Sequence, residues 1–349
     1  MFMEILKTAV SPVTFAAALR LSCPLVIGSM GGCFNEKTST GNIAYECFML
    51  TGCFFGAWGS YTFGSPMIGS LCAIGSGLLL GAIYGLLVYH LNCNAMIVSV
   101  AYNNAAWALT TLLMVTTWGV RGNFTDPSIV SYKTISLEIL KPYPLLDTLF
   151  NNAILLVYLA YVIAAIAMVL MYKTPFGLRL RGVGINPTAA QSAGINVRKY
   201  RWICLLIMGS MMGLAGSYLP LSGSSMFTER MTDGRGFLCL TAILVGKADP
   251  FRTMLLAMLF AYSTSLTLVL SYFGLPSQIL SMLPYLMVMI VLLVVGIRKY
   301  RGIDISSDIG VLERMMAMDG LDGRNDFKIK PDEGWTDELS DSSGSAAAQ

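Results

Sequence analysis

Four polar side chains, Glu36, Lys37, Asn42 and Glu46, interrupt what is otherwise an apolar stretch running from residue 12 to residue 61. A charge left alone in hydrocarbon costs roughly 3 kcal/mol or more, so each must meet water or a partner. Two readings stay open. In one, a discontinuous helix lets Phe34, Glu36, Asn42, Tyr45 and Glu46 face a water-filled path, where freed backbone groups and side chains meet a polar solute. In the other, residues 34–41 are an ordinary turn and Glu46 is paired with a neighbour. Asn103 and Asn104 form a second polar pair in an apolar run, fit either for the same path or for hydrogen bonding between helices. A third polar group spans 222–236. Its glycines permit a tight re-entry, and its Glu229 and Arg235 suit solute contact or structural ties.

Other chemistries lack their residues. No phosphate loop of the Gly-x-x-x-x-Gly-Lys-Ser/Thr type is present, and Gly246-Lys247 lacks both the earlier glycine and the following hydroxyl. The chain is therefore not expected to hydrolyse ATP unaided. Its one histidine, His90, ends an apolar run, and the eight cysteines show no Cys-x-x-Cys spacing. A metal site is not expected, and the cysteines read as small core residues. The 22 methionines read as filler. No catalytic residue, metal or cofactor is expected within this chain.

The elements that would position these residues follow from composition. Hydrophobic residues make up 55% of the chain, charged residues only 12%, and mean hydropathy is +0.65. A soluble domain carries about twice that charge. Runs close to the roughly 20 residues that cross a bilayer as helix lie at 12–33, 42–61, 65–89, 95–117, 149–172, 202–222, 251–272 and 279–297. A shorter run at 234–246 needs tilting into protein or a re-entrant partner. The expectation is an all-α, polytopic membrane helical bundle of about 8–10 spans, broken or re-entrant helices among them. No cleavable signal peptide is evident, so the first span is expected to remain. Residues 1–302 form this membrane domain. Residues 303–349 carry eleven acidic and four basic side chains, with too little apolar surface to fold alone, and read as a solvated cytoplasmic tail with a short helix around 309–318.

Between the runs ending at 172 and starting at 202 lies a basic loop, 173–201, with six Lys or Arg side chains flanking a polar centre. Asn186 suits the cap of a helix, Pro187 its first position and Gly194 its left-handed stop, which predicts an exposed two-turn helix over about 187–193. The positive-inside bias puts this loop in the cytoplasm. Counting onward, Gly246–Arg252 and Arg298–Arg301 fall on the same side, provided 234–246 crosses. Counting back puts both 118–148 and the N-terminus outside, unless a broken helix near 34–41 alters the count. Gly77, Gly81 and Gly85 share one helical face, as do Gly209 and Gly213. These are packing faces, within the chain in preference to a subunit interface.

Several segments together resemble a family. They are Gly32-Cys33-Phe34-Asn35-Glu36-Lys37, Asn42 through Leu50, the Gly182-Val183-Gly184-Ile185-Asn186-Pro187-Thr188-Ala189-Ala190 loop, Phe227 through Phe237, and Leu283-Pro284-Tyr285. They look like permease subunits of bacterial ABC importers of the sugar and nucleoside branch, most nearly the guanosine-type nucleoside permeases, in the same order over residues 10–300. The resemblance implies a helical core in the cytoplasmic (inner) membrane with the C-terminus in the cytoplasm. It also implies a cytoplasmic ATPase partner that holds ATP-Mg, an extracytoplasmic solute-binding protein or lipoprotein, and a second, different permease chain. Coupling to the ATPase would fall to Gly184, Asn186, Pro187, Ala189, Ala190 and Gly194. No nucleic acid is implied. Where the family shows Asn-Ile-Gly-x-Glu-Gly, this chain has Asn42-Ile43-Ala44-Tyr45-Glu46-Cys47, and the lost glycines bear on the solute, with simple sugars or riboflavin as alternatives to nucleosides. A competing class, a proton- or ion-coupled secondary transporter, would use Glu36 and Glu46 as its intramembrane carboxylates.

Overall fold

A computed structural model describes residues 11–135, 151, 153–271, 278, 280 and 282–300. The acidic tail and its expected helix at 309–318 lie outside these residues. Helices dominate: α1 (Pro12–Glu36), α2 (Tyr45–Phe63), α3 (Pro66–Gly85, continued by a π turn, Leu86–His90), α4 (Ala95–Trp118), α5 (Leu155–Lys173), α6 (Pro175–Ile185), α7 (Pro187–Ser192), α8 (Val197–Leu221), α9 (Arg235–Val245), α10 (Pro250–Ser271) and α11 (Leu283–Tyr300). Six of them, α1, α3 with its π turn, α4, α5, α8 and α10, are long and apolar enough to cross a membrane, while α9 and α11 are shorter apolar helices. The apolar runs thus emerge as helices within a few residues of their expected limits. Two short antiparallel ladders join loops, β1 (Asn123–Thr125) to β4 (Met226–Thr228) and β2 (Thr134–Ile135) to β3 (Ala153–Ile154).

Contacts give the helices their directions. Ser265 in α10 donates to the Thr14 carbonyl of α1 at 2.9 Å, so the end of α10 meets the start of α1. Gly28 and Gly32 of α1 face Cys239 and Ile243 of α9, so those two run parallel. Phe48, Gly52 and Gly56 of α2 face Gly209, Gly213 and Ser217 of α8, which also run parallel to each other, while Gly77 of α3 meets Gly209 from the opposite direction. Turn 37–44, loop 174–196 and turn 246–249 consequently gather at one end, here called the basic end. The β1–β4 ladder lies at the other.

The middle of the bundle is α2, fourteen of whose nineteen residues are buried. It packs against both α3 and α8, which also touch each other directly, and small residues line these seams. A Cβ on Gly77 would strike the Gly209 carbonyl, one on Gly213 the Ala73 carbonyl, and one on Gly216 the Met49 carbonyl. Gly85 lies against Trp202, whereas Gly81 leaves 3.6 Å to its nearest neighbours. The glycine faces are therefore internal seams, as expected, because close backbone approach replaces the hydrophobic drive that lipid cannot supply. Arg20, inside the first span, is only partly paired, its buried Nε having no hydrogen-bond partner among the described residues. Its guanidinium donates to the Asn151 carbonyl at 3.1 Å, and its own carbonyl accepts from Tyr218 at 2.7 Å.

Candidate functional site

At the basic end, three helices form a tight elbow. Thr174 caps α6 by accepting from the Gly177 amide at 3.3 Å, with Pro175 at its first position. This helix replaces the plain lead-in expected from the basic cluster at 172–181; its Thr-Pro start is the signal that marks it. Asn186 ends α6 and caps α7, its side-chain oxygen accepting from Ala189 N–H at 3.1 Å and from the Thr188 hydroxyl at 3.0 Å. Gly194, at φ 78°, turns the chain in the left-handed conformation, and Ile195 N–H closes on the Ala190 carbonyl at 3.0 Å. Asn196 then caps α8 through Lys199 N–H at 3.0 Å. Cavities of about 600 and 490 Å³ flank this last link, with Arg198 and Arg201 lining one and Arg179 and Lys199 the other.

The six residues expected to couple to an ATPase divide by position. Asn186, Ala189 and Gly194 are exposed and Pro187 is half-buried, but Gly184 and Ala190 face inward. Gly184 sits against the Lys37 carbonyl with no room for a Cβ, and its own carbonyl accepts from Ser39 at 3.1 Å. The Lys37 ammonium donates to the Lys247 carbonyl at 2.9 Å. Burial pulls that ammonium below the usual lysine range. The elbow is thereby bound to the α1–α2 turn, and that turn to the α9–α10 turn.

The candidate path residues lie wholly or partly inside the protein, whereas Asn104 is exposed. Phe34, Asn42, Tyr45, Glu46 and Asn103 are all buried, and Glu36, Glu229 and Arg235 are half-buried. Asn103 accepts from Cys47 N–H at 3.0 Å and donates to the Ile43 carbonyl at 3.1 Å, spanning the break between α1 and α2. Asn42 accepts from Ala44 N–H at 2.8 Å and from Ser99, itself bonded to Tyr84 at 2.9 Å. The Glu46 carboxylate accepts from the Thr232 hydroxyl, from Gly234 N–H at 3.1 Å and from Gly236 N–H at 2.8 Å. It caps α9 from another helix, where the amides and the helix dipole favour an anion. Gly236 must be glycine, since a Cβ would lie 2.6 Å from the Glu46 backbone. Glu229 accepts from Gly122 N–H at 3.1 Å beside the β1–β4 ladder, and Arg235 opens α9. Asn42, Tyr45, Glu46 and Asn103 thus gather at the clamp around α2 and α9, Glu229 lies beside the ladder, and Phe34 packs against Phe176 of α6, ring centroids 6.5 Å apart. Ser99 and Thr232, essential partners in the clamp, carry no signal distinguishing them in sequence from other hydroxyls in apolar runs.

Residues 14–293 match the family described as branched-chain amino acid transport system / permease component. The chain belongs to this permease family. The nucleoside ABC transporter permease protein NupC of Lactococcus lactis subsp. cremoris is 32% identical over 294 residues, 80% of this chain and 91% of its own length. The guanosine ABC transporter permease protein NupQ of Bacillus subtilis is 30% identical over 287 residues, 79% of this chain and 89% of its own. The match takes in the elbow, the clamp and the ladder, so all three are parts of an ABC permease that crosses the membrane several times. Among the described residues of this permease, no three His, Cys, Asp or Glu side chains come together as metal ligands.

Proposed function

We propose that this permease carries nucleosides inward as one membrane subunit of an ATP-driven importer, with its basic end in the cytoplasm. The names of two relatives similar over most of the chain support the solute class. The single observation that carries the mechanism is the α6–α7 elbow. It presents Ile185, Thr188, Ala189 and Gln191 outward, while Gly184 and Ser39 bind it to the α1–α2 turn. A cytoplasmic ATPase that grips the exposed face of α7 pulls on a capped, rigid element, not on a slack loop. The pull reaches α1 and α2 through turn 37–41, and α9 through Lys37 and the Lys247 carbonyl. Because Glu46 ties the start of α2 to the start of α9, both helices move together, and the half-length α9 opens or closes the bundle below the β1–β4 ladder.

In this reading ATP-Mg is held by the ATPase, and the permease itself performs no hydrolysis. A second permease chain completes the path, and a solute-binding protein or lipoprotein delivers the solute at the ladder end. The membrane is the bacterial cytoplasmic one and the C-terminus is cytoplasmic. Glu46, one of the two carboxylates a proton-coupled carrier would use, is occupied by three donors, which supports the ATP-driven reading over a secondary transporter. Uptake of labelled guanosine or adenosine by the assembled importer tests it. Uptake should stop when the ATPase is inactivated and compete with other purine nucleosides but not with free ribose. Uptake that survives ATPase inactivation and collapses with the proton gradient would refute it, and uptake of ribose or riboflavin alone would refute the solute class.

A further inference from the structure

The charges that the bundle leaves exposed at membrane depth are not those buried in the clamp. Trp107 is the thirteenth residue of α4, about 18 Å along a helix rising about 1.5 Å per residue, near the centre of a hydrocarbon core about 30 Å thick. The exposed Arg230 lays its guanidinium over that ring, 4.6 Å from the centroid. Asp233, also exposed, lies between Thr232 and Gly234, both bound to Glu46. Glu46 in turn adjoins Cys47, whose amide meets Asn103 on α4. Asp233 therefore sits at the level of Asn103, about 12 Å along α4 by the same rise. Asn104 is exposed one position further on. Around Asp233 stand Phe237 and Tyr285, 36% and 46% exposed, with the Tyr285 hydroxyl donating to the Asp233 carbonyl at 3.1 Å.

An exposed guanidinium, carboxylate and amide at this depth cannot face acyl chains, so this face meets water or polar protein. We propose that Asn104, Trp107, Arg230, Asp233, Phe237 and Tyr285 are the solute-contacting wall of the translocation path. This rests on the importer reading above and deepens it. Phe237 and Tyr285 offer apolar ring surface to a planar base, and Trp107, with Arg230 over one face, adds a stacked guanidinium–indole pair. The Asp233 carboxylate accepts from vicinal sugar hydroxyls, and the Asn104 amide both donates and accepts. A ligand pairing an aromatic ring with a polyhydroxyl group fits this wall, whereas a free sugar leaves the rings unused. The wall stands beside the first turn of α9, the helix tied to the elbow through turns 37–41 and 246–249, so its shape follows the state of the ATPase.

The experiment uses the complete importer reconstituted in lipid vesicles. Asn104→Cys and Asp233→Cys, each in a Cys93→Ser background, should react with a charged, water-soluble thiol reagent, at rates that change when the ATPase is trapped with vanadate. Trp107→Ala should lower guanosine uptake about tenfold, the loss of roughly one base-stacking contact, while Trp107→Phe should retain most of it. Thiols that stay unreactive in the assembled complex, as in a sealed subunit interface, would overturn the proposal, as would unchanged uptake in Trp107→Ala. A parent importer that moves no nucleoside would overturn the solute class instead, and the thiol reactivity would still decide where the path runs.

Discussion

Glu46 shows how a residue that looks like transport chemistry can be structural at its own atoms. Three donors, two of them buried, converge on its carboxylate, and removing the acceptor leaves each buried donor unsatisfied at about 1–3 kcal/mol. Glu46→Ala is therefore expected to lower the amount and thermal stability of the permease in the membrane, with Glu46→Gln intermediate because an amide oxygen still accepts. Thermal unfolding in detergent, set beside uptake per molecule, checks this. A variant with normal stability and lost uptake would return Glu46 to the path. Asn103 bridges Cys47 N–H and the Ile43 carbonyl and belongs to the same class, so Asn103→Ala should follow Glu46→Ala and not a transport-specific phenotype.

Between elements, the α3–α8 seam and the elbow make contrasting demands. Gly77→Ala forces a methyl onto the Gly209 carbonyl, an overpacking expected to cost about 1–3 kcal/mol, whereas Gly81→Ala has 3.6 Å of room and should be tolerated. Equal stability of the two variants would mean the seam relaxes freely. In the elbow, Gln191→Arg alters only the exposed face of α7, and Thr188→Arg changes the same face with the loss of its hydroxyl's bond to Asn186. They should leave the permease folded while the ATPase fails to co-purify. Gly184→Val should instead wedge α6 away from turn 37–41 and reduce the folded protein itself. Retention of the ATPase by both α7 variants would move the docking surface elsewhere.

Across the whole molecule, the orientation is testable through a native side chain. Cys93 is exposed in the turn between the π segment and α4, at the basic end, where the Arg198 guanidinium reaches the Tyr89 carbonyl. A membrane-impermeant maleimide should label it in inside-out vesicles and not in intact spheroplasts, and Cys93→Ser should remove that labelling. Labelling from the outer face alone would invert the assignment. The direction matters because the proposed import would bring the solute in beside the β1–β4 ladder. There Trp118 stacks on Phe124 at 4.4 Å, and Phe227 packs at 5.5 Å from Phe54.

Sequence by itself determined whatever depends on neighbours along the chain. Helix length and apolarity mark the spans because a bilayer admits only segments whose backbone bonds close internally. Asn186, Pro187 and Gly194 mark α7 because caps and left-handed stops act within a turn. Thr174-Pro175 carries the same kind of local signal for α6, a helix that the reading of 172–181 as a plain lead-in missed. Only the tertiary structure decided which polar residues are occupied. Glu46 meets Thr232, Gly234 and Gly236 from almost two hundred residues away, and Gly184 meets Lys37 across the basic end. A buried carboxylate and a path-lining one are the same letter in the same apolar surroundings. What separates them is whether a distant helix start supplies its amides, and that is set by how the spans pack.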